Sequence, residues 1–290
     1  MQGFTIAGHV AIDHIIYSER EFTQLGGPPS YSAVLGGTLG FPVEIVTKIG
    51  YDFPEKLVLV IHSMGINDQD RSESPSTRFV LDYRFNPRRM RVPTVCQPIL
   101  LSEVKDAERI LLCPITREIN DKLIEDLDPE FLGLDPQGLV RDIKHDHSVS
   151  LKSWCNQDAL RKINLLKTSS NEHQLITGTM DIKKSLQYFN KKGVEIAVIT
   201  DGNNGSYVMT DSDFFRVPVY NVDLVDSTGA GDVFIAGLAS HLDEGLLWAC
   251  AVASASSSAI VETRGPEIRC SRREILERAK IIFDNIEELS

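Results

Sequence analysis

Positive charge is scarce in this sequence: 30 Lys and Arg stand against 41 Asp and Glu, a net charge of -11 at pH 7. Following a nucleic-acid backbone or an anionic membrane surface takes clustered Lys and Arg, so neither partner is expected. The one basic cluster of note is Arg88, Arg89 and Arg91, which reads as solvated charge. Cysteine is also sparse. Cys96, Cys113, Cys155, Cys250 and Cys270 are odd in number and form no C-x-x-C pair, which suggests neither a disulfide framework nor a zinc site and fits a reducing cytoplasm. No apolar run approaches the ~20 residues of a membrane span, and the start lacks a basic region followed by a long apolar core. A soluble cytoplasmic protein is expected. Internal repeats and low-complexity tracts are absent as well.

What is present is enough apolar material for a sizeable core, 42% of 290 residues, in one large α/β domain or two small ones. The chain is organised around Asp226-Ser-Thr-Gly-Ala-Gly-Asp232. An apolar run ending in Val222 and Val225 precedes it, and Val233, Phe234, Ala236, Gly237 and Leu238 give the following segment a helical apolar face. The motif therefore reads as a strand, a tight glycine turn and the first turn of a helix. The first amides of a helix have no internal partner and its dipole is positive there, so an anion belongs at that point. Gly229 and Gly231 remove side chains that would keep a phosphoryl group from the backbone. A carboxylate beside such a site needs a task, and the natural one for Asp232 is to accept a proton from an attacking hydroxyl. The plainer alternative is that Asp232 only caps the helix.

Those seven residues resemble the signature of the ribokinase-like (PfkB) carbohydrate kinase family. The resemblance implies that Gly229, Ala230 and Gly231 form an anion hole and that Asp232 is the catalytic base. It extends to the amino-terminal half, where Phe4 to Val10 reads as a first strand, Asp13 follows, and Gly26-Gly27-Pro28-Pro29-Ser30 opens a helix with Ser30 as its N-cap. Asp13, Gly26 and Gly27 are thereby implied to contact the acceptor's hydroxyls, and a carboxylate can accept from two vicinal hydroxyls at once. Where family members often carry Asn, this chain has Tyr31.

Further along, Arg109 to Cys113, Phe131 to Leu134, Ile163 to Leu166 and Val194 to Ile199 are apolar runs of strand length separated by helical or loop segments. Continuous apolar strands alternating with helices imply a parallel sheet covered on both faces, with ligands at the carboxyl ends of its strands. The expected architecture is a single domain over 1–290, a mostly parallel doubly wound sheet in a Rossmann-like three-layer sandwich. The resemblance adds a small β lid over the sugar, from segments near 13–25 and 76–92.

The turns Asp135-Pro-Gln137-Gly138, continuing to Arg141, and Pro114-Ile-Thr-Arg117-Glu118 resemble those of the family's myo-inositol kinase-like members. That likeness brings Gln137 and Arg117 toward the acceptor, with loop capping the alternative for each. The family resemblance also implies that Thr200, Gly202 and Gly205, with Thr228, Gly229 and Gly231, contact ATP. It places Mg²⁺ near Glu172 through water, although Ser169 stands where the family usually has Asn, and a monovalent cation such as K⁺ near Asp226, as in some relatives. Asp52, in Gly50-Tyr-Asp52, sits in a degraded form of a turn usual in the family.

The function expected is an ATP-dependent kinase of a small sugar or cyclic polyol, with a myo-inositol-like acceptor favoured, acting as a monomer or a lid-mediated homodimer. A ribose or nucleoside kinase of the same family is the alternative. A non-catalytic nucleotide- or sugar-binding regulatory protein is the competitor from another class.

Overall fold

The computed structural model describes residues 1–66 and 71–290. The chain enters with β1 (Phe4–Ala7), then leaves the core through β2 (Ala11–Ile16) and β3 (Glu21–Gly26) before α1 (Pro28–Leu39), β4 (Val43–Val46) and α2 (Glu55–Ser63). A second excursion, β5 (Arg78–Asp82) and β6 (Arg89–Thr94), precedes α3 (Leu101–Val104), β7 (Arg109–Leu112), α4 (Asp121–Asp126) and β8 (Phe131–Leu134). A short hairpin, β9 (Arg141–Ile143) and β10 (Val149–Leu151), leads to α5 (Gln157–Leu160), β11 (Leu165–Ser169), α6 (His173–Thr177), α7 (Ile182–Lys191) and β12 (Ile196–Thr200). The chain ends with β13 (Ser206–Met209), β14 (Phe214–Val217), α8 (Ala230–His241), α9 (Leu246–Ile260), α10 (Arg272–Phe283) and β15 (Glu287–Glu288).

The large sheet has the order β15-β14-β13-β12-β11-β8-β7-β1-β4. From β4 to β12 the pairings are parallel, and β13, β14 and β15 are added antiparallel at the far edge. Its strands are apolar on both faces because both are covered. Phe4, Ile6, Leu111 and Leu165 pack with α1, α8, α9 and α10 on one side. Leu112, Leu134, Leu166 and Ile199 pack with Leu123, Leu160, Leu186 and Phe189 of α4, α5 and α7 on the other. This is the three-layer, mostly parallel architecture of ribokinase-like folds.

The two excursions join as a four-stranded sheet, β3-β2-β5-β6, in which β2 and β5 pair in parallel and the outer pairs are antiparallel. It forms the small β lid. Ala11, Phe79, Leu81, Val92 and Ile115 make the apolar layer beneath it. Asp52 fastens the lid to the body: its carboxylate accepts from the Ser76 amide at 2.7 Å and from Arg78 at 2.8 Å.

Three local expectations are corrected. Ser30 is not an N-cap, because α1 begins at Pro28 with Gly27 before it, and the Ser30 hydroxyl donates to the Gly26 carbonyl at 3.0 Å. No strand precedes the Asp226 motif. Residues 218–227 run as irregular chain, with the amides of Val225 and Asp226 donating to the Val261 carbonyl at the end of α9. Leu224 and Val225 are exposed there, so apolar character alone did not make a strand. The run read as a strand from Ile163 pairs only from Leu165, since Asn164 instead ties neighbouring strands together through Leu132 and Ile196. By contrast, Ser271 caps α10 with Glu274 in a capping box, as its spacing indicates.

Candidate active site

The Asp226 motif folds as it does because one carboxylate and one glycine set its path. Asp226 is buried, and its Oδ1 accepts from the Thr228 amide at 2.9 Å and the Thr228 hydroxyl at 2.7 Å, closing the turn. Gly229 then takes φ 83°, and a Cβ there would lie 2.2 Å from the Tyr31 ring, so both backbone angle and space demand glycine. Helix α8 starts at the next residue. The Ala230 amide makes only a 3.4 Å bond to Ser227 O, and the hydrogen bond to Gly229 O begins at Val233, so the amides of this turn face outward.

Two cavities meet at this turn, and Ser227 and Gly231 line both. The larger, about 340 Å³, is bounded by Thr200, Gly202 and Gly205 after β12, by Tyr220 and Val222, and by Ser254, Ser257 and Val261 of α9. Its walls are mainly apolar. The smaller, about 150 Å³, lies between the sheet and the lid. Asp13, Arg88, Gln137, Arg141 and Asp232 supply its charged and polar groups, while Phe79, Leu81, Met90 and Ile115 supply an apolar wall.

Asp13 is buried in β2, and its carboxylate fills the space where a Gly26 side chain would be, 2.2 Å from that Cβ position. Burial pushes its carboxyl up to about 7, with Arg88 and Arg141 opposing and Asp232 and Asp226 adding to the rise. Asp232 is likewise pushed up to about 7. Burial is the main cause and Asp135 adds to it, while Lys167 and Arg141 work in the other direction. Gln137 sits in a turn held by Asp135, whose Oδ1 accepts the Gln137 amide at 3.2 Å.

Not every residue singled out from sequence reaches this place. Arg117 is exposed and pairs with Asp142 at 3.4 Å, outside the small cavity. It is the next residue, Glu118, that shapes the loop: buried, it accepts from the amides of His9, Ile115 and Thr116 and from the Thr116 hydroxyl, and so presents Ile115 to the cavity. Thr228 and Gly229 line the lid-side cavity and not the larger one. Arg88, read as a solvated charge, lines the small cavity, although Arg89 and Arg91 do not.

Glu172 is buried, and its Oε2 accepts the Ser169 amide at 2.8 Å. It lies in the field of Lys167, Arg141 and Asp232. Among the described residues no group of three or more His, Cys, Asp or Glu forms a metal cluster. Glu172 lines neither cavity, so it could serve a Mg²⁺ at the anion turn only through water, as suits an ion that keeps several waters and takes its other ligands from phosphate oxygens.

Three further residues of the site were given no role in the sequence reading, although Tyr31 and Arg141 were noted there. Arg141 donates to Ile115 O at 2.7 Å and lies over the Phe79 ring at 5.4 Å. Tyr31 is fully buried, and its hydroxyl, in the wall of the small cavity, has no hydrogen-bond partner in the protein. Lys167, on β11, is buried with its ammonium 2.6 Å from Asp135 Oδ2. The signal for Arg141 was its place at the end of the Asp135 turn. Lys167 offered a signal too: a lone charge inside an apolar strand.

The pattern defining the pfkB family carbohydrate kinases matches residues 136–272. A cytidine kinase from Thermococcus kodakarensis is 26% identical over 255 residues, covering 84% of this chain and 90% of that one. An inositol 3-kinase from Arabidopsis thaliana is 27% identical over 255 residues, covering 83% and 68%. Among solved structures, a pyrophosphate-dependent kinase in the ribokinase family, complexed with a pyrophosphate analog and myo-inositol, superposes with a TM-score of 0.79 at 22% identity, covering 95% and 99%. Arabidopsis thaliana ribokinase complexed with ribose and ATP gives 0.74 at 21%, covering 95% and 98%.

Proposed function

Since the chain is a ribokinase-like kinase of the pfkB family, a phosphotransferase with an alcohol group as acceptor, we propose that it moves the γ-phosphoryl group of ATP to a hydroxyl of a compact cyclic polyol of the myo-inositol type. One observation carries this reading: Asp232 and Gly231 stand where a small polar cavity under the lid meets a larger, mainly apolar one.

The larger cavity fits a nucleoside. Its apolar walls suit a base, and Gly202 and Gly205 leave the backbone open to the sugar and phosphates. A pyrophosphate donor would have no use for that space, which favours ATP. The smaller cavity suits a single ring carrying several hydroxyls. Asp13 accepts from vicinal hydroxyls, Gln137 and Arg141 bond others, and Phe79, Leu81, Met90 and Ile115 cover the C–H face. At about 150 Å³ it is closer in size to a single ring than to a nucleoside, which favours a polyol acceptor.

In the reaction, Asp13 and Gln137 hold the acceptor so that one hydroxyl points at the donor, and Asp232 takes its proton as the oxygen attacks phosphorus. The amides of Gly229 to Gly231 and the positive end of α8 face the charge on the transferring group. Glu172 would hold Mg²⁺ through water, and the ion supplies charge neutralisation on the phosphates. The lid's apolar underside keeps water, a competing nucleophile, from the phosphoryl group.

The test is release of ADP from ATP and Mg²⁺ over a panel of myo-inositol, ribose, fructose and its phosphates, and nucleosides, run beside Asp232→Asn. Turnover on myo-inositol that collapses in the variant is the expected result. Turnover confined to cytidine would replace the polyol by a nucleoside, the reading that likeness to the cytidine kinase favours. ATP binding with no turnover on any acceptor would instead favour a regulatory protein.

A further inference from the structure

Lys167 has no part in the mechanism above, yet its placement calls for one. It is the central residue of β11, among Leu165, Leu166 and Thr168, all buried, and its side chain is 3% exposed. A cation at that depth needs a partner, which Asp135 provides at 2.6 Å. Apolar side chains of similar volume would fill the same space without desolvating two charges, so packing alone gives no reason for the pair.

The position of the ammonium supplies the reason. A Cβ on Gly231 would lie 2.5 Å from Lys167 Nζ and 3.3 Å from its Cε. The ammonium is therefore packed against the bare α-carbon of a residue that lines both cavities, at the turn where an anion is to sit. The positive end of α8 is at the same point. A second positive charge against it is unfavourable unless negative charge converges there. Asp135 supplies part, and the incoming phosphoryl group would supply the rest.

We propose that Lys167 is a positioning residue of the transfer: a fixed positive charge against Gly231 that keeps the Asp232 side chain as a carboxylate and offsets charge on the phosphoryl group, with Asp135 as the tether that aims it. The inference rests on the reading of Asp232 as the base and of the α8 turn as the anion hole. It also explains why residue 231 carries no side chain, since any Cβ would displace the ammonium.

Asp232 is faced by Asp135 and Arg141 from the two ends of the β8–β9 connection, by Lys167 from β11 and by Glu172 from the turn after it. Asp13 of β2, Tyr31 of α1 and Cys113 after β7 also lie in its field. Among these, Lys167 and Arg141 are the cations that oppose its protonation. Burial opposes the charge on Lys167 as well, but Asp135 and then Glu172 outweigh it and hold the ammonium above the usual lysine range.

The experiment compares Lys167→Met, the double variant Asp135→Asn/Lys167→Met, and Asp232→Asn, following kcat, both KM values, the pH profile of kcat/KM and Tm. For Lys167→Met, kcat is expected to fall about 100-fold. Both KM values should move less than about threefold, and the acid limb should shift up by about one pH unit. This variant leaves the buried Asp135 carboxylate without its cation, keeping only the Gln137 amide, so its Tm falls too. The double variant removes that orphan and should recover most of the Tm while kcat stays low. A pair that is only structural would recover both, so a double variant with kcat within about threefold of the parent overturns the proposal. An unshifted acid limb in a folded Lys167→Met protein does so as well. Failure of the underlying reading looks different: Asp232→Asn would then keep its turnover, whereas an inactive Asp232→Asn beside an active double variant removes Lys167 alone from the mechanism.

Discussion

Replacing Asp232 by Asn should cost activity and add stability at the same time, because one cause lies behind both. Burial, reinforced by Asp135, holds the Asp232 carboxyl up to about 7. In the unfolded chain the same group titrates near the ordinary aspartate value of ~3.9. Between those two values the native protein binds more protons than the unfolded one, so stability falls as pH rises through that window, and the deficit is complete above about 7. Three pH units at 1.36 kcal/mol each set an upper bound of about 4 kcal/mol. Asp232 opens onto the small cavity, where water screens part of the field, so about 1–3 kcal/mol is the amount to expect. For 290 residues, with an unfolding entropy of about 0.6 kcal/mol/K, that raises Tm by about 2–5 °C.

The assay is calorimetric Tm of parent and Asp232→Asn at pH 5 and pH 8. The gain should be full at pH 8 and about a third of that at pH 5, which lies about one unit above the unfolded value of ~3.9. Turnover at pH 8 should drop by a factor of about 10² to 10⁴, the usual contribution of a general base. In the parent, kcat/KM should climb as pH rises toward about 7 and then level, because the carboxylate is the active form. Asp13 is raised to about 7 as well and must also be ionised to accept from the acceptor, so the slope below 7 approaches two. The two groups lie in each other's field, and the midpoints belong to the pair. Equal Tm for variant and parent at pH 8, or variant turnover within about threefold of the parent, would refute the assignment.

Four further outcomes test the site. Tyr31→Phe removes a buried hydroxyl with no protein partner, so Tm should hold or rise, while acceptor KM rises about 3- to 10-fold if that hydroxyl bonds the acceptor. Gly229→Ala forces φ 83° on a side chain that would sit 2.2 Å from the Tyr31 ring, and urea unfolding should show a loss of about 1–3 kcal/mol or more. Arg117→Ala should leave acceptor KM within about twofold, because its exposed pair with Asp142 is worth little and lies outside the cavity, whereas Arg141→Met should raise it about tenfold or more. Pyrophosphate in place of ATP should support no turnover, since it leaves the cavity of about 340 Å³ unfilled; comparable rates with the two donors would contradict the nucleotide reading.

The difference between what could and could not be read in advance follows from the range of the interactions involved. The Asp226 motif was legible because a helix start, an anion turn and an acidic residue are set by neighbours within seven positions. The parallel sheet was legible for a related reason: strands buried on both faces, such as Leu132 to Leu134 in β8, must be apolar throughout, and that pattern is local. Arg117 and Arg141 could not be ranked the same way. Both follow a strand end in short polar turns, and what separates them is that Glu118 turns its loop inward through Ile115, while Asp142 draws the Arg117 guanidinium out to the surface.

Lys167 presents the same problem in sharper form. Inside β11 it looks like a flaw in an apolar run, and only the β8–β11 pairing brings Asp135 to it from 32 residues away. Only the packing of α8 on that face then sets Gly231 over its ammonium. A charge that breaks a buried strand costs several kcal/mol of desolvation that the sequence alone shows no means of recovering. Such a break therefore marks where a partner must be sought in space, and here the search from Lys167 leads through Asp135 to the turn where the two cavities meet.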